Sequence, residues 1–137
     1  MMPKIETVPA PNTSSTDMLQ SFVSIIDDEE SVRVALGSLV RSIGYPVKAF
    51  ASAEEFLASE AVHRASCIVA DIKMPGMDGI ELYQLLKRRG DPQPFIFIAA
   101  VLDQASENRL ADGDMVKVLE KPFDANELAN FIEEAMS

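Results

Sequence analysis

The sequence of 137 residues contains one cysteine, one histidine and no tryptophan. A lone Cys67 cannot form an internal disulfide, which is typical of proteins in a reducing compartment, so we expect a cytoplasmic location. Basic residues are also few, since 12 Lys and Arg stand against 22 Asp and Glu and give a net charge of −10. Nucleic acid and anionic membranes carry the same sign of charge, so neither is expected as a direct partner.

Long apolar runs are absent as well. No run approaches the ~20 residues that a membrane span needs, and the first thirty residues lack the apolar stretch of a signal peptide. Apolar residues nevertheless make up 47% of the chain, which is enough for a packed core and excludes a wholly disordered protein. The length favours a single domain.

The amino-terminal segment has a different composition from the rest of the chain. Pro3, Pro9 and Pro11 are spread through polar sequence without a helical or strand period. Residues 1–18 are therefore predicted to be a disordered tail, and residues 19–137 to form one folded domain.

Within that domain, short apolar runs alternate with stretches that have helical spacing. Five runs are strand candidates: Phe22–Ile26, Pro46–Phe50, Cys67–Ala70, Phe95–Ala100 and Val116–Leu119. Parallel neighbours need crossover connections, so the alternation predicts a doubly wound α/β fold with a five-stranded parallel sheet and helices on both faces. The fourth helix has few apolar residues between Ala100 and Val116, and we expect it to be short, poorly packed or partly irregular.

Charged residues follow three of the predicted strands. Asp27 and Asp28 follow the first strand, Asp71 the third, and Lys121 the fifth. Each alone is most simply a turn residue or a helix cap. Ligands of parallel sheets bind beyond the carboxyl ends of the strands, where these side chains would converge and where Mg²⁺ would relieve the repulsion between carboxylates. The lysine could hold a phosphate oxygen, so the pattern predicts a site that places a phosphoryl group on or beside a carboxylate.

Four motifs carry a resemblance to a known family. In order and spacing they resemble the receiver domain of bacterial two-component response regulators over residues 20–136: IIDDEESVR (25–33), ASAEEFL (51–57), ADIKMPGMDGIEL (70–82) and LEKPF (119–123). The resemblance implies the flavodoxin-like receiver fold with strand order 2-1-3-4-5.

The resemblance also implies a role for individual residues. Asp71 would accept a phosphoryl group from a histidine kinase or a histidine phosphotransfer protein, and Lys121 would contact the acyl phosphate. Asp27, Asp28, Asp71 and the backbone carbonyl of Lys73 would hold Mg²⁺. The Lys121–Pro122 bond would be cis, which only a following proline makes accessible.

Two positions depart from the family pattern. Receivers usually have Thr or Ser where this chain has Ala99, and Tyr or Phe where it has Val118. Loss of a hydrogen bond to a charged group costs about 1.5–3 kcal/mol, so phosphorylation would be weakened roughly ten- to hundredfold rather than abolished. The usual hydroxyl–aromatic relay would not carry the signal, and the fourth helix could change instead.

The leading hypothesis is therefore a stand-alone receiver that signals by binding a downstream protein and is not an enzyme. The chain ends at Ser137 without a predicted output domain, and pairing of two copies stays open. An alternative is a pseudo-receiver, an interaction module that does not switch by phosphorylation. An aspartate-nucleophile phosphatase is disfavoured, because it would need a second acid at the position that Lys73 occupies. A nucleotide-binding enzyme is disfavoured too, because the sequence has no glycine-rich phosphate-binding loop. The ammonium of Lys73 could pair with the phosphoryl group or with a nearby acid, but the simpler interpretation is a surface lysine without a fixed partner. Cys67 is interpreted as a buried core residue.

Overall fold

A computed structural model describes residues 21–91, 93–110 and 115–137 of the chain. The tail predicted for residues 1–18 lies outside the described residues. The sheet has five parallel strands in the order β2-β1-β3-β4-β5, as the resemblance implied. These strands are β1 (Val23–Ile26), β2 (Val47–Phe50), β3 (Cys67–Asp71), β4 (Phe95–Ala99) and β5 (Val116–Glu120).

Helices cover both faces of this sheet, as the alternation of runs predicted. They are α1 (Glu30–Ser42), α2 (Ala53–Leu57), α3 (Gly79–Arg88), α4 (Gln104–Arg109) and α5 (Ala125–Met136), with a 3₁₀ turn at Glu60–His63. Because successive strand residues point to opposite faces, β1 sends Val23 and Ile25 toward α1 and α5 and Ile26 toward α2 and α3. The chain is therefore doubly wound.

The register of the sheet places the candidate site. Ile26 of β1 pairs with Ala70 of β3, so the next residues, Asp27 and Asp71, emerge side by side at the carboxyl edge. Ala99 of β4 pairs with Glu120 of β5, which puts Lys121 at the same edge. Side-by-side parallel strands lie about 4.8 Å apart, so three distant segments of the chain meet within one small volume.

The fourth helix is short, as its sequence predicted. Helix α4 has 6 residues, and Ser106 is the one residue within it that is buried. Leu102 and Leu110 pack partly against the core from the two ends of the helix. With so little apolar burial, α4 depends on polar contacts for its position.

No helix within the described ranges is long and apolar enough to cross a membrane.

Candidate functional site

Three carboxylates meet at the edge where β1 and β3 end. Asp27, Asp28 and Asp71 each offer an oxygen, and these oxygens all lie within 4.8 Å of one another. Asp27 is 1% exposed, Asp71 is half-buried and Asp28 is exposed. The structure therefore brings together the three acids that the sequence placed at the strand ends.

Asp27 is held in place through one of its two oxygens. Its Oδ1 accepts a hydrogen bond from the Glu29 amide at 2.9 Å, and its backbone carbonyl accepts one from Arg33 Nη1 at 2.7 Å. Its Oδ2 is buried and has no hydrogen-bond partner within the described part of the chain. Burial raises the pKa of Asp27, and repulsion from Asp28 adds to this, whereas the Glu29 amide and Lys121 lower it. A buried oxygen without a partner is costly, so this position suits a ligand.

Asp71 has a similar environment. Burial raises the pKa of Asp71, repulsion from Asp27 raises it further, and the Lys73 amide and Lys121 act in the opposite direction. The Lys73 amide donates to Asp71 Oδ1 at 3.2 Å and fixes the orientation of this carboxylate. Clustered carboxylate oxygens, one of them buried without a partner, are the donor set that a hard divalent cation such as Mg²⁺ prefers. The residues present fit such an ion.

A cleft of about 300 Å³ opens beside these acids. It is lined by Glu29, Asp71, Lys73, Ala100, Val101, Asp103 and Lys121. The backbone amide of Lys121 donates to the Ala99 carbonyl at 2.8 Å, and the Lys121–Pro122 bond is cis, as the resemblance implied. Lys73 and Lys121 are the two cationic side chains on this cleft, next to the Asp71 carboxylate, and lysine ammonium groups pair with oxyanions.

Comparison with known proteins decides the family. The family model for the response regulator receiver domain matches residues 23–133. The chain belongs to this family. Its sequence motifs, sheet order and acidic edge all agree with that assignment, and receiver domains are the signalling modules of two-component systems.

Named response regulators are among the similar sequences. The receiver is 36% identical over 116 residues to the response regulator protein TodT of Pseudomonas putida. The aligned region covers 85% of this chain and 51% of TodT. It is 33% identical over 117 residues to the transcriptional regulatory protein FixJ of Bradyrhizobium diazoefficiens, covering 85% of this chain and 57% of FixJ. The chain thus spans about half the length of these relatives.

Solved structures show the same fold. The structure of FixJ-N is 34% identical and superposes with a TM-score of 0.73, covering 85% of this chain and 93% of that one. The Vibrio cholerae chemotaxis protein CheY4 is 22% identical with a TM-score of 0.75, and 85% of this chain and 98% of that one are covered. At that identity the likeness to CheY4 concerns the fold alone.

The two positions that the sequence analysis contrasted with the family pattern, 99 and 118, lie on one face of the sheet. Ala99, at the end of β4, is 1% exposed and belongs to the hydrophobic cluster between the sheet and helices α2 and α3. Val118 of β5 packs against this cluster. Val118 pairs with Phe97 and lies two residues before Glu120, which pairs with Ala99. Neither position carries a hydroxyl or an aromatic ring.

The loop that follows Asp71 is braced by contacts that sequence analysis missed. Glu54 of α2, 23 residues earlier in the sequence, accepts a hydrogen bond from the Met77 amide at 2.9 Å. Asp78 then caps α3 in a reciprocal arrangement with Glu81, at 2.8 and 2.9 Å. A side chain on Gly79 would collide with the Asp71 carbonyl, so glycine permits this helix to start close to Asp71.

Two ion pairs connect this loop to α4. Lys73 Nζ lies 3.6 Å from Asp103 Oδ2, and Arg109 donates to both oxygens of Asp78. The interpretation of Lys73 as a lysine without a fixed partner was wrong, because Asp103 pairs with it. The sequence did not indicate this pair, because Asp103 lies 30 residues away and only folding brings it near.

Cys67 is buried and free, as its position in a strand indicated. His63 is 75% exposed and lies 3.5 Å from Asp91.

Proposed function

We propose that this receiver accepts a phosphoryl group on Asp71 from a histidine kinase or a histidine phosphotransfer protein and signals through contacts with a downstream protein. The observation that carries the proposal is the half-buried Asp71 carboxylate, which has an oxygen within 4.8 Å of oxygens of Asp27 and Asp28 and which lines one cleft with Lys73 and Lys121. Membership in the receiver family supports it. We also propose that the protein acts in the cytoplasm, since its one cysteine is free and buried.

The transfer step follows from the geometry of Asp71. The Lys73 amide holds Oδ1, and we assign Oδ2 to the attack on the phosphorus of phosphohistidine. An O–P bond forms while the P–N bond breaks, and the electron pair of the broken bond stays on the imidazole nitrogen. Lys121 lies on the same cleft, where its ammonium pairs with a phosphoryl oxygen. Positioning and charge neutralisation are nearly all that such a transfer requires of the protein.

Asp27, Asp28, Asp71 and the backbone carbonyl of Lys73 would hold Mg²⁺. When bound, the ion supplies neutralisation of the charge shared by the carboxylates and the phosphoryl oxygens. The buried Oδ2 of Asp27 supports this assignment, because a cation would bind an oxygen to which no described group donates a hydrogen bond. Asp27 and Asp28 thereby act on the reaction through charge rather than through direct attack.

The second candidate is a pseudo-receiver that binds partners without switching by phosphorylation. The alanine at position 99 and the valine at position 118 favour it, since the usual hydroxyl and ring are missing together. The complete set of Asp27, Asp28, Asp71 and Lys121 favours a working acceptor, because these residues supply the nucleophile and most of the charge neutralisation.

Intact mass after incubation with a small-molecule phosphodonor and Mg²⁺ separates the two candidates. The receiver should gain the mass of one phosphoryl group, and the Asp71→Asn variant should gain none. A receiver that stays unlabelled under conditions where a control receiver labels fully would contradict the proposal and favour the pseudo-receiver.

A further inference from the structure

Lys73 and Asp103, which both line the cleft beside Asp71, form an ion pair. Lys73 Nζ lies 3.6 Å from Asp103 Oδ2, and the two side chains are 69% and 47% exposed. Both residues line the cleft together with Asp71 and Lys121. The ammonium of Lys73 therefore stands beside the volume that a phosphoryl group on Asp71 would enter.

Asp103 links this ion pair to α4. While Oδ2 faces Lys73, Oδ1 accepts the Ser106 amide at 2.8 Å and caps the helix. Helix α4 has one buried residue, Ser106, and its start is held by this cap together with the Leu102 amide, which donates to Glu120 Oε2 of β5 at 3.0 Å. A change in the partner of Lys73 therefore alters the contacts of the carboxylate that caps α4.

We propose that phosphorylation of Asp71 draws Lys73 from Asp103 to the phosphoryl oxygens and thereby loosens the start of α4. The inference rests on the proposed function and names the element that reports the phosphorylated state. It gives this receiver a coupling by charge where the hydroxyl of position 99 and the ring of position 118 are missing.

Charge and exposure favour the exchange. An acyl phosphate presents three oxygens and more negative charge than the carboxylate of Asp103, and phosphate oxygens form strong hydrogen bonds with cations. An exposed ion pair contributes little stability, so the Lys73–Asp103 pair yields readily to a stronger acceptor. Arg109 holds the other end of α4 through Asp78, so only the start of the helix is released.

The test is the affinity for beryllofluoride, a phosphoryl mimic, measured by ¹⁹F NMR titration with Mg²⁺ present. Lys73→Gln should weaken binding about three- to tenfold, because a cationic partner of the mimic is lost. Asp103→Asn should strengthen it about two- to fivefold, because the competitor for Lys73 is lost. Asparagine caps helices as well as aspartate does, so the second variant keeps the hydrogen bond to the Ser106 amide and loses only the ion pair with Lys73.

A double-mutant cycle separates competition from long-range charge effects. If Asp103 acts by competing for Lys73, then Asp103→Asn has no effect in a Lys73→Gln background. A gain that persists in that background would overturn the proposal, since it would arise from charge alone.

The ion pair of Lys117 and Glu134 supplies matched controls. Its length is also 3.6 Å and its side chains are 50% and 66% exposed, but it joins β5 to α5 away from the cleft. Lys117→Gln and Glu134→Gln make the same charge changes and should leave the affinity for beryllofluoride unchanged.

Amide hydrogen exchange provides a readout of α4 itself. Beryllofluoride should speed exchange in residues 104–107 of the parent several-fold and leave exchange in the Lys73→Gln variant unaltered. Equal affinity and equal exchange in parent and variant would overturn the inference while leaving the acceptor intact. Failure of the parent to bind beryllofluoride, like that of Asp71→Asn, would instead overturn the proposed function.

Discussion

The guanidinium of Arg109 holds both carboxylate oxygens of Asp78, with Nη1 3.0 Å from Oδ2 and Nη2 3.1 Å from Oδ1. Arg109 is the last residue of α4, and Asp78 caps the start of α3. The pair therefore connects the least buried of the described helices to the segment that follows Asp71. Bidentate pairs of this kind are stronger and more directional than those of lysine.

Substitution of Arg109 should lower stability in a pH-dependent way. Burial alone would raise the pKa of Asp78, but the hydrogen bonds from Arg109 and the Glu81 amide outweigh it and hold the pKa below its usual 3.8. A depressed pKa means that ionised Asp78 stabilises the fold above about pH 4 and that this stabilisation is lost as the pH falls further. In urea denaturation, Arg109→Gln should lower the free energy of unfolding by about 1 kcal/mol at pH 7. In acid, the free energies of unfolding of variant and parent should become equal.

Arg64→Gln is the control for this experiment. This substitution removes an exposed ion pair of 3.2 Å with Glu60, four residues earlier in the chain, and should lower the free energy of unfolding by less than about 0.5 kcal/mol. Equal losses for the two variants at pH 7 would show that the Arg109–Asp78 pair has no special role.

Gly76→Ala should be more destabilising than Gly90→Ala. The two glycines have nearly the same backbone φ, +76° and +75°, so alanine suffers the same backbone strain of about 1–2 kcal/mol at both. Only at Gly76 would the new Cβ meet another group, Glu54 Oε2 at 2.6 Å, and disturb its hydrogen bond to Met77. We expect an additional loss of about 1 kcal/mol in urea denaturation.

The same measurement in a Glu54→Ala background identifies the cause. There the cost of Gly76→Ala should fall to that of Gly90→Ala, because the colliding carboxylate is gone. An unchanged cost would mean that Glu54 moves aside without penalty.

Ala99→Thr should strengthen binding of beryllofluoride about ten- to hundredfold relative to Ala99→Val. Threonine and valine add the same volume at this buried position, so the ratio of the two affinities isolates the hydroxyl. The titration with Mg²⁺ described above measures it. Equal affinities would show that the cleft has no place for a hydroxyl contact from position 99.

Cys67 should be unreactive in the native protein. Burial raises the pKa of its thiol to about 12, so the reactive thiolate is scarce at neutral pH, and the side chain is fully buried. A chromogenic thiol reagent should label Cys67 rapidly in urea and only at the rate of unfolding without it. Fast native labelling would indicate that β3 opens locally.

Much of the architecture follows from the sequence because it depends on local pattern. Short apolar runs and helical periods lie within single elements, and the carboxyl ends of parallel strands must share one edge. Asp27 and Lys121 directly follow β1 and β5, and Asp71 is the last residue of β3, so their convergence was foreseeable from the chain alone. The short α4 was foreseeable too, since its segment has too few apolar residues to bury.

The tertiary structure alone decided which polar side chains meet. Asp103 is 30 residues from Lys73, and Arg109 is 31 residues from Asp78. The burial of Asp27 Oδ2 without a partner likewise appears only once the neighbouring strands are in place. Such contacts depend on the distance between two packed elements and on the reach of long side chains across it. No periodicity along the chain encodes that distance, which is why the sequence predicted that Asp71 lies at the edge of the sheet but not which polar side chains surround it.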